Sequence, residues 1–183
     1  TRAKVPMTKE EVRWVSVARL GVQPGDTVWD IGAGTGAVTF ELARKAMDGA
    51  VFAVERNAEA VELIAQNRRK LGGFNVHIVP GHAPEVLADL PKPNCVFVGG
   101  SGGNMREIIE TALMKNPKAR ITVNAIALET LQETQRLFAE FGLQQIEITQ
   151  LSAARGKSIG CYTMMTANNP VFILSGKGAK YGE

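Results

Sequence analysis

The chain has 183 residues, 45% hydrophobic and 21% charged, with a formal net charge of +3. That size and balance fit one globular domain, expected over residues 1–183, and exclude a disordered or fibrous polypeptide. The weak positive charge favours anionic partners, but with no Lys/Arg-rich block it does not point to nucleic acid, and no apolar run approaches a membrane span.

Thr8-Lys9-Glu10-Glu11 reads as a capping box that opens a helix to about Leu20, ended by Gly21. After a turn at VQPGD, Thr27 to Ile31 forms a first strand, and Ala37 to Ala46 a helix with Val38, Leu42 and Ala46 on one face. Val51 to Val54 is a second strand ending at Glu55; Asn57 caps a helix to Leu71, stopped by Gly72-Gly73. The cations of NRRK, Asn67 to Lys70, sit late in that helix, where they complement its dipole. Val76 to Val79 is a third strand, with a short helix after Pro84. Cys95 to Val98 is a fourth, ending in GGSGGN, and Met105 to Met114 is helical. Ile121 to Val123 is a fifth strand, and Leu128 to Phe141 a helix. Ile146 to Leu151 and Val171 to Leu174 are two last strands with no helix between them.

Five alternations of strand and helix predict a parallel sheet with helices on both faces. The final two strands fit best as an antiparallel pair at one edge. Their connector, Ser152 to Asn169, is long enough to invite a function, and CYTMM within it has the character of a short extra strand. Arg155 and Lys157 flank Gly156 there, a pairing suited to carboxylate or phosphate; a solvated surface loop is the equal alternative. Cys95 and Cys161 are too few and too far apart for a disulfide framework or a metal site, and a reducing cytoplasm fits. The start at Thr1 rather than Met reads as a trimmed end or a piece cut from a longer chain, and no signal-like apolar region opens it.

VWDIGAGTG, Val28 to Gly36, carries the chemistry. Gly32, Gly34 and Gly36 follow a strand and precede a helix, so a ligand can approach the backbone, with free N–H groups expected to face the crevice. The spacing G-x-G-x-G departs from the G-x-G-x-x-G of nicotinamide sites. Glu55 ends the second strand about 20 residues on, where a carboxylate accepts from ribose hydroxyls.

The D-x-G-x-G-x-G block with this acid resembles the class I S-adenosylmethionine-dependent methyltransferases. The resemblance implies an α/β, Rossmann-like fold: a mostly parallel seven-stranded sheet with an antiparallel edge and helices on both faces. VPMTKEEVR (Val5 to Arg13), WDIGAGTG, AVERNAEA, VFVGGSGGN and NPVFILSG, in this order and at these separations, resemble the precorrin carbon-15 methyltransferase (decarboxylating) family of cobalamin biosynthesis. That family includes stand-alone enzymes and the C-terminal half of a carbon-5,15 methyltransferase. GGSGG is the most specific segment.

The family implies methyl transfer from S-adenosylmethionine to carbon 15 of a (cobalt-)precorrin, leaving S-adenosylhomocysteine, with decarboxylation of the ring C acetate. It also implies a cytoplasmic homotetramer and a carbon-5 methyltransferase as fused domain or partner. Cofactor contacts are expected at Thr8, Gly32, Ala33, Gly34, Thr35, Gly36, Glu55 and Ala83. His82 stands where the family commonly has an acid that accepts from the adenine amino group; a neutral imidazole nitrogen also accepts, more weakly. Ser101 and Asn104 are expected to donate to the substrate, and Arg106, Arg155 and Lys157 to anchor its carboxylates. No triad, metal cluster or paired acid and base is evident, as befits a reaction whose electrophile comes from the cofactor. The competing readings are a methyltransferase acting on RNA or another acceptor, and a non-catalytic cofactor-binding module.

Overall fold

The computed structural model describes residues 7–179; Thr1 and the Val5-Pro6 start of the first family motif lie outside them. Helix α1 (Glu10–Leu20) leads into β1 (Thr27–Ile31), α2 (Ala37–Lys45), β2 (Ala50–Glu55), α3 (Ala58–Leu71) and β3 (Val76–Pro80). A single 3-10 turn (Glu85–Leu87) precedes β4 (Cys95–Val98), α4 (Met105–Lys115), β5 (Arg120–Ala125), α5 (Leu128–Glu140) and β6 (Gln144–Leu151). Strands β7 (Ala154–Ile159), β8 (Tyr162–Ala167) and β9 (Val171–Lys177) come last.

Seven strands make one sheet in the order β3-β2-β1-β4-β5-β9-β6, and β7 and β8 pair separately. Strands β1 to β5 are mutually parallel. Strand β9 lies between β5 and β6 and runs antiparallel to both, which realises the expected antiparallel edge.

The period of two along each strand sends side chains to opposite faces. Val28, Val51, Ala53, Cys95 and Phe97 pack with α1, α2 and α3 through Leu20, Leu42 and Ile64. Trp29, Ile31, Val96, Val98, Ile121 and Val123 pack with α4 and α5 through Ile108, Ile109 and Phe138. Both faces are buried, which is why β4 reads as a continuous apolar run.

Helix α3 starts and stops as the sequence dictates. The Asn57 side chain accepts from the N–H groups of Glu59 and Ala60, and Gly72 closes the helix at φ 73°. Two expectations need correction. Thr8 caps nothing: α1 begins one residue later, its N-cap is Lys9 without a side-chain cap, and the Thr8 carbonyl accepts from Arg13 instead. The connector is not an open loop but a hairpin, β7–β8, tight around Gly160-Cys161. CYTMM supplies β8, whereas ARGKSI has no apolar run to betray β7, and every residue of both strands is exposed.

Below the sheet, Asp26 pairs with Arg120 and accepts from the Gln23 N–H, and the Arg120 guanidinium lies 3.0 Å from Cys95 Sγ. Burial pushes the Cys95 thiol up to about 12, so it stays protonated as a small core group. The turn into β2 runs against this corner so closely that a Cβ on Gly49 would stand 2.1 Å from the Asp26 carbonyl oxygen. Gly49→Ala is expected to lower stability by about 1–3 kcal/mol, seen as an earlier urea midpoint; an unchanged midpoint would mean the corner yields freely.

Candidate active site

Strand order reverses between β1 and β4, and a cleft of about 940 Å³ opens there, at the carboxyl ends of the parallel strands. Two glycine loops form its floor. The turn after β1 contributes Gly32, Ala33, Gly34 and Thr35, and the loop after β4 contributes Gly99 to Gly103. They touch backbone to backbone: a Cβ on Gly32 would lie 2.7 Å from the Gly100 carbonyl oxygen and 2.9 Å from its nitrogen. The N–H groups of Gly99 and Gly100 both reach the Ile31 carbonyl, at 2.9 and 3.3 Å.

Within the glycine turn several backbone donors are spent on the chain itself. The N–H groups of Gly32 and Ala33 donate to the Val54 carbonyl, that of Gly34 to Glu55 Oε2 at 2.8 Å, and that of Gly36 to Ala33. At the start of α2 the first N–H groups have no acceptor within the helix, and Ala37 and Val38 line the cleft, where free donors are expected. The turn admits a ligand by shape and offers it an acceptor in Glu55. That carboxylate takes the Gly34 N–H on one oxygen and the Asn57 N–H, 2.8 Å away, on the other, with lone pairs left for hydroxyls.

Directly beneath, Asp30 is fully buried and accepts from the Thr39 hydroxyl at 2.5 Å, while its other oxygen has no partner. Burial drives its carboxyl up to about 7; the Thr39 bond pulls against this and the charge of Glu55 adds to it.

The remaining candidates divide cleanly. Thr8, Glu55, His82, Ala83 and Ser101 line the cleft, but the ring nitrogen of His82 expected to accept from an adenine amino group faces the Arg56 guanidinium at 3.0 Å instead. Gly36 lies behind it, where a Cβ would press on Phe40 at 3.0 Å and Ile64 at 3.2 Å. Asn104 serves structure: its amide donates to the Ala83 carbonyl at 3.0 Å, tying the second glycine loop to the segment after β3. Arg106 is held bidentately by Glu140 at 2.7 and 2.6 Å and lies over Phe141, outside the cleft. Arg155 on β7 is bound to Glu10 and Glu11 of α1, and Lys157 stands on the exposed hairpin, so neither reaches the cleft wall. Sequence reasoning passed over Arg56, Asn124, Ile126, Thr130, Asn168 and Asn169, which also line it. Arg56, Asn124 and Ile126 directly follow or close the carboxyl ends of β2 and β5, a position that marks cleft residues in this topology. No group of three or more His, Cys, Asp or Glu side chains among the described residues is arranged to hold a metal.

Residues 2–177 match the family model for the precorrin methyltransferase domain. The chain belongs to the precorrin methyltransferase family. Within the family it is 42% identical, over 93% of its length and 88% of the relative's, to a probable cobalt-precorrin-6B C(15)-methyltransferase (decarboxylating) of Pyrobaculum calidifontis. It is 34% identical, over the same shares, to the cobalt-precorrin-6B C(15)-methyltransferase (decarboxylating) of Salmonella typhimurium. Two crystal structures of precorrin enzymes superpose closely. One is a precorrin-6Y C5,15-methyltransferase from Geobacter metallireducens, with TM-score 0.89, 36% identity, and 97% of this chain and 92% of the other covered. The second is a precorrin-8W decarboxylase from Methanobacterium thermoautotrophicum, with TM-score 0.88, 37% identity and coverage of 98% and 96%. An O-methyltransferase from Thermotoga maritima, 22% identical with TM-score 0.81, shares the methyltransferase fold.

The buried Asp30 makes stability depend on pH. Its folded value, about 7, exceeds the ordinary 3.8, so the folded state retains a proton that the unfolded state releases. The stability this gives is complete below about pH 4 and is lost as pH rises through about 7. Asp30→Asn keeps an acceptor for Thr39 and removes the charge. In urea melts it should gain on the parent across that window, by up to about 4 kcal/mol at pH 8. A stability difference that does not change with pH would show that Asp30 is already ionised when folded.

Proposed function

We propose that this chain is an S-adenosylmethionine-dependent enzyme that methylates carbon 15 of a (cobalt-)precorrin and removes carbon dioxide from the ring C acetate, in cobalamin biosynthesis. The observation that carries the reading is the switch-point cleft, set within a chain of this family. Its volume of about 940 Å³ exceeds what a nucleoside-sized cofactor fills. Glu55, at the end of β2, suits a ribose. The two closely superposing structures are named for a methyltransferase and a decarboxylase, and a two-reaction enzyme accounts for both names.

S-adenosylmethionine supplies an electrophilic methyl group. Gly32 to Thr35 and Ala83 would seat it against the backbone, with Glu55 on the ribose hydroxyls. The protein's task is alignment and the exclusion of water from two reacting centres. Ile126, 64% exposed at the rim, offers an apolar contact for a macrocycle face. Loss of carbon dioxide breaks the bond between carboxylate and methylene and passes the electron pair into the conjugated macrocycle; the methylene then takes up a proton from solvent and becomes a methyl group.

The reading extends to a cytoplasmic protein of one domain over residues 1–183, a homotetramer, with a carbon-5 methyltransferase as partner or fused domain. Support for self-association comes from the hairpin. Isolated two-stranded sheets are marginal in water. Ile159, Tyr162 and Met164 share one face of this one, all more than half exposed, and Ile146 and Ile148 lie exposed on nearby β6. Among the described residues no helix is long and apolar enough to cross a membrane.

Incubation with S-adenosylmethionine and the late precorrin should add one methyl and remove one carbon dioxide by mass; methylation of RNA and not of precorrin would overturn the assignment. Glu55→Ala should weaken S-adenosylhomocysteine binding by calorimetry about ten- to a hundredfold, the cost of about 1–3 kcal/mol for poorly paired hydroxyls. Unchanged affinity would remove Glu55 from the cofactor site. Light scattering should give four times the 19.7 kDa chain mass, falling to smaller species in Ile159→Glu/Met164→Glu; a monomeric parent would exclude the tetramer.

A further inference from the structure

Arg56 follows β2 directly and lines the cleft. Its Nη1 stands 3.0 Å from His82 Nε2. A guanidinium only donates, so that ring nitrogen accepts, and the imidazole proton sits on Nδ1, 3.2 Å from the Ala83 carbonyl oxygen it faces. In this tautomer the ring is neutral. Gly102 of the second glycine loop, at φ 61°, faces the pair itself: a Cβ there would stand 3.5 Å from both Arg56 Nη1 and His82 Cε1, in ordinary contact.

The cation is thus oriented without being neutralised. Arg106 and Arg155, by contrast, are consumed by Glu140 and by Glu10 and Glu11. The acids near Arg56 are otherwise engaged or turned away. Glu55 has both oxygens on backbone N–H groups, and Glu85 faces the far nitrogen of the His82 ring at 3.8 Å. Arg56 makes no ion pair among the described residues. The other cation lining the cleft, Lys9, is followed in the chain by Glu10 and Glu11; the Glu11 carboxyl is held below its ordinary value first by a backbone hydrogen bond and then by Arg155, with Lys9 adding least.

We propose that Arg56, oriented by His82, binds a peripheral carboxylate of the tetrapyrrole substrate at the cleft mouth. The inference rests on the reading of the substrate as a polycarboxylate macrocycle. The guanidinium fork retains donors on Nε and Nη2 for bidentate recognition after Nη1 is committed to His82. An acid at position 82, as the family pattern commonly has, would pair with Arg56; the histidine of this chain leaves the charge uncancelled.

The probe is uroporphyrin III, a fluorescent octacarboxylate, titrated at low salt into protein saturated with S-adenosylhomocysteine. Arg56→Ala should weaken porphyrin binding about tenfold or more, and Arg56→Lys should recover part of that, having charge without the fork. His82→Asp should lose nearly as much as Arg56→Ala, whereas His82→Gln, an uncharged acceptor, should stay within about twofold. Circular dichroism of each variant confirms folding, and S-adenosylhomocysteine affinity of the Arg56 variants should match the parent. The proposal falls if the parent does not bind the porphyrin, if Arg56→Ala binds it normally, or if that variant loses cofactor affinity in parallel. Turnover separates this inference from the functional reading. Porphyrin binding lost with Arg56, in a parent that leaves precorrin unmethylated, keeps the anion receptor and overturns the assignment. Normal precorrin turnover and Michaelis constant in Arg56→Ala keep the assignment and overturn the receptor.

Discussion

The contact between Gly32 and Gly100 governs the upper end of this molecule. Two loops that end neighbouring parallel strands meet with no side chain between them, closer than any Cβ allows. Strand twist and the reversal of order at β1 and β4 splay the chain apart at this point. The glycines let the two loops close the floor of the opening while its walls stay apart. The cleft is therefore wide and its base rigid. The N–H groups of Gly32, Ala33, Gly34, Gly99 and Gly100 hold the base together, with Val54, Glu55 and Ile31 receiving them.

Most of the fold was legible because strand and helix periods differ and the punctuation is strong. Asn57 and Gly72 bracket α3 in sequence as they do in space, and the apolar run Cys95 to Val98 is a strand buried on both faces. The errors share a cause. A capping box is a pattern of four residue types, but the helix start is set by where the backbone turns, and packing of Val12 against Val171 and Ile173 fixes α1 from the far end of the chain. Strand β7 carries a sheet pattern only in its partner, because its own residues bury nothing within the chain.

The site was half legible, and the division is electrostatic. Residues that act through the backbone or as strand-end acceptors, such as Gly32, Gly34 and Glu55, are marked by local spacing. Cations are not. Arg106 and Arg155 look available in a sequence, yet carboxylates distant by 34 and 144 positions claim them, and only the folded chain reveals those partners. Arg56 looks like the flank of an acidic motif, and its freedom depends on a histidine 26 positions away. Charge counts name the candidates; the ion pairs formed on folding decide which of them still carry a field that a ligand can feel.

Strand β9 separates β5 from β6 although it is the last of the described strands to be made. Until Val171–Lys177 has left the ribosome, β6 has no neighbour in the main sheet, and Val12 of α1 lacks Val171 and Ile173 to pack on. Vectorial synthesis can complete the β1-to-β5 half early, with α1 already against β5 through Ser16 and Asn124. A nascent chain therefore passes through a state with the β5 edge of the sheet unpaired. That interval, more than the finished molecule, is where a chaperone has something to hold.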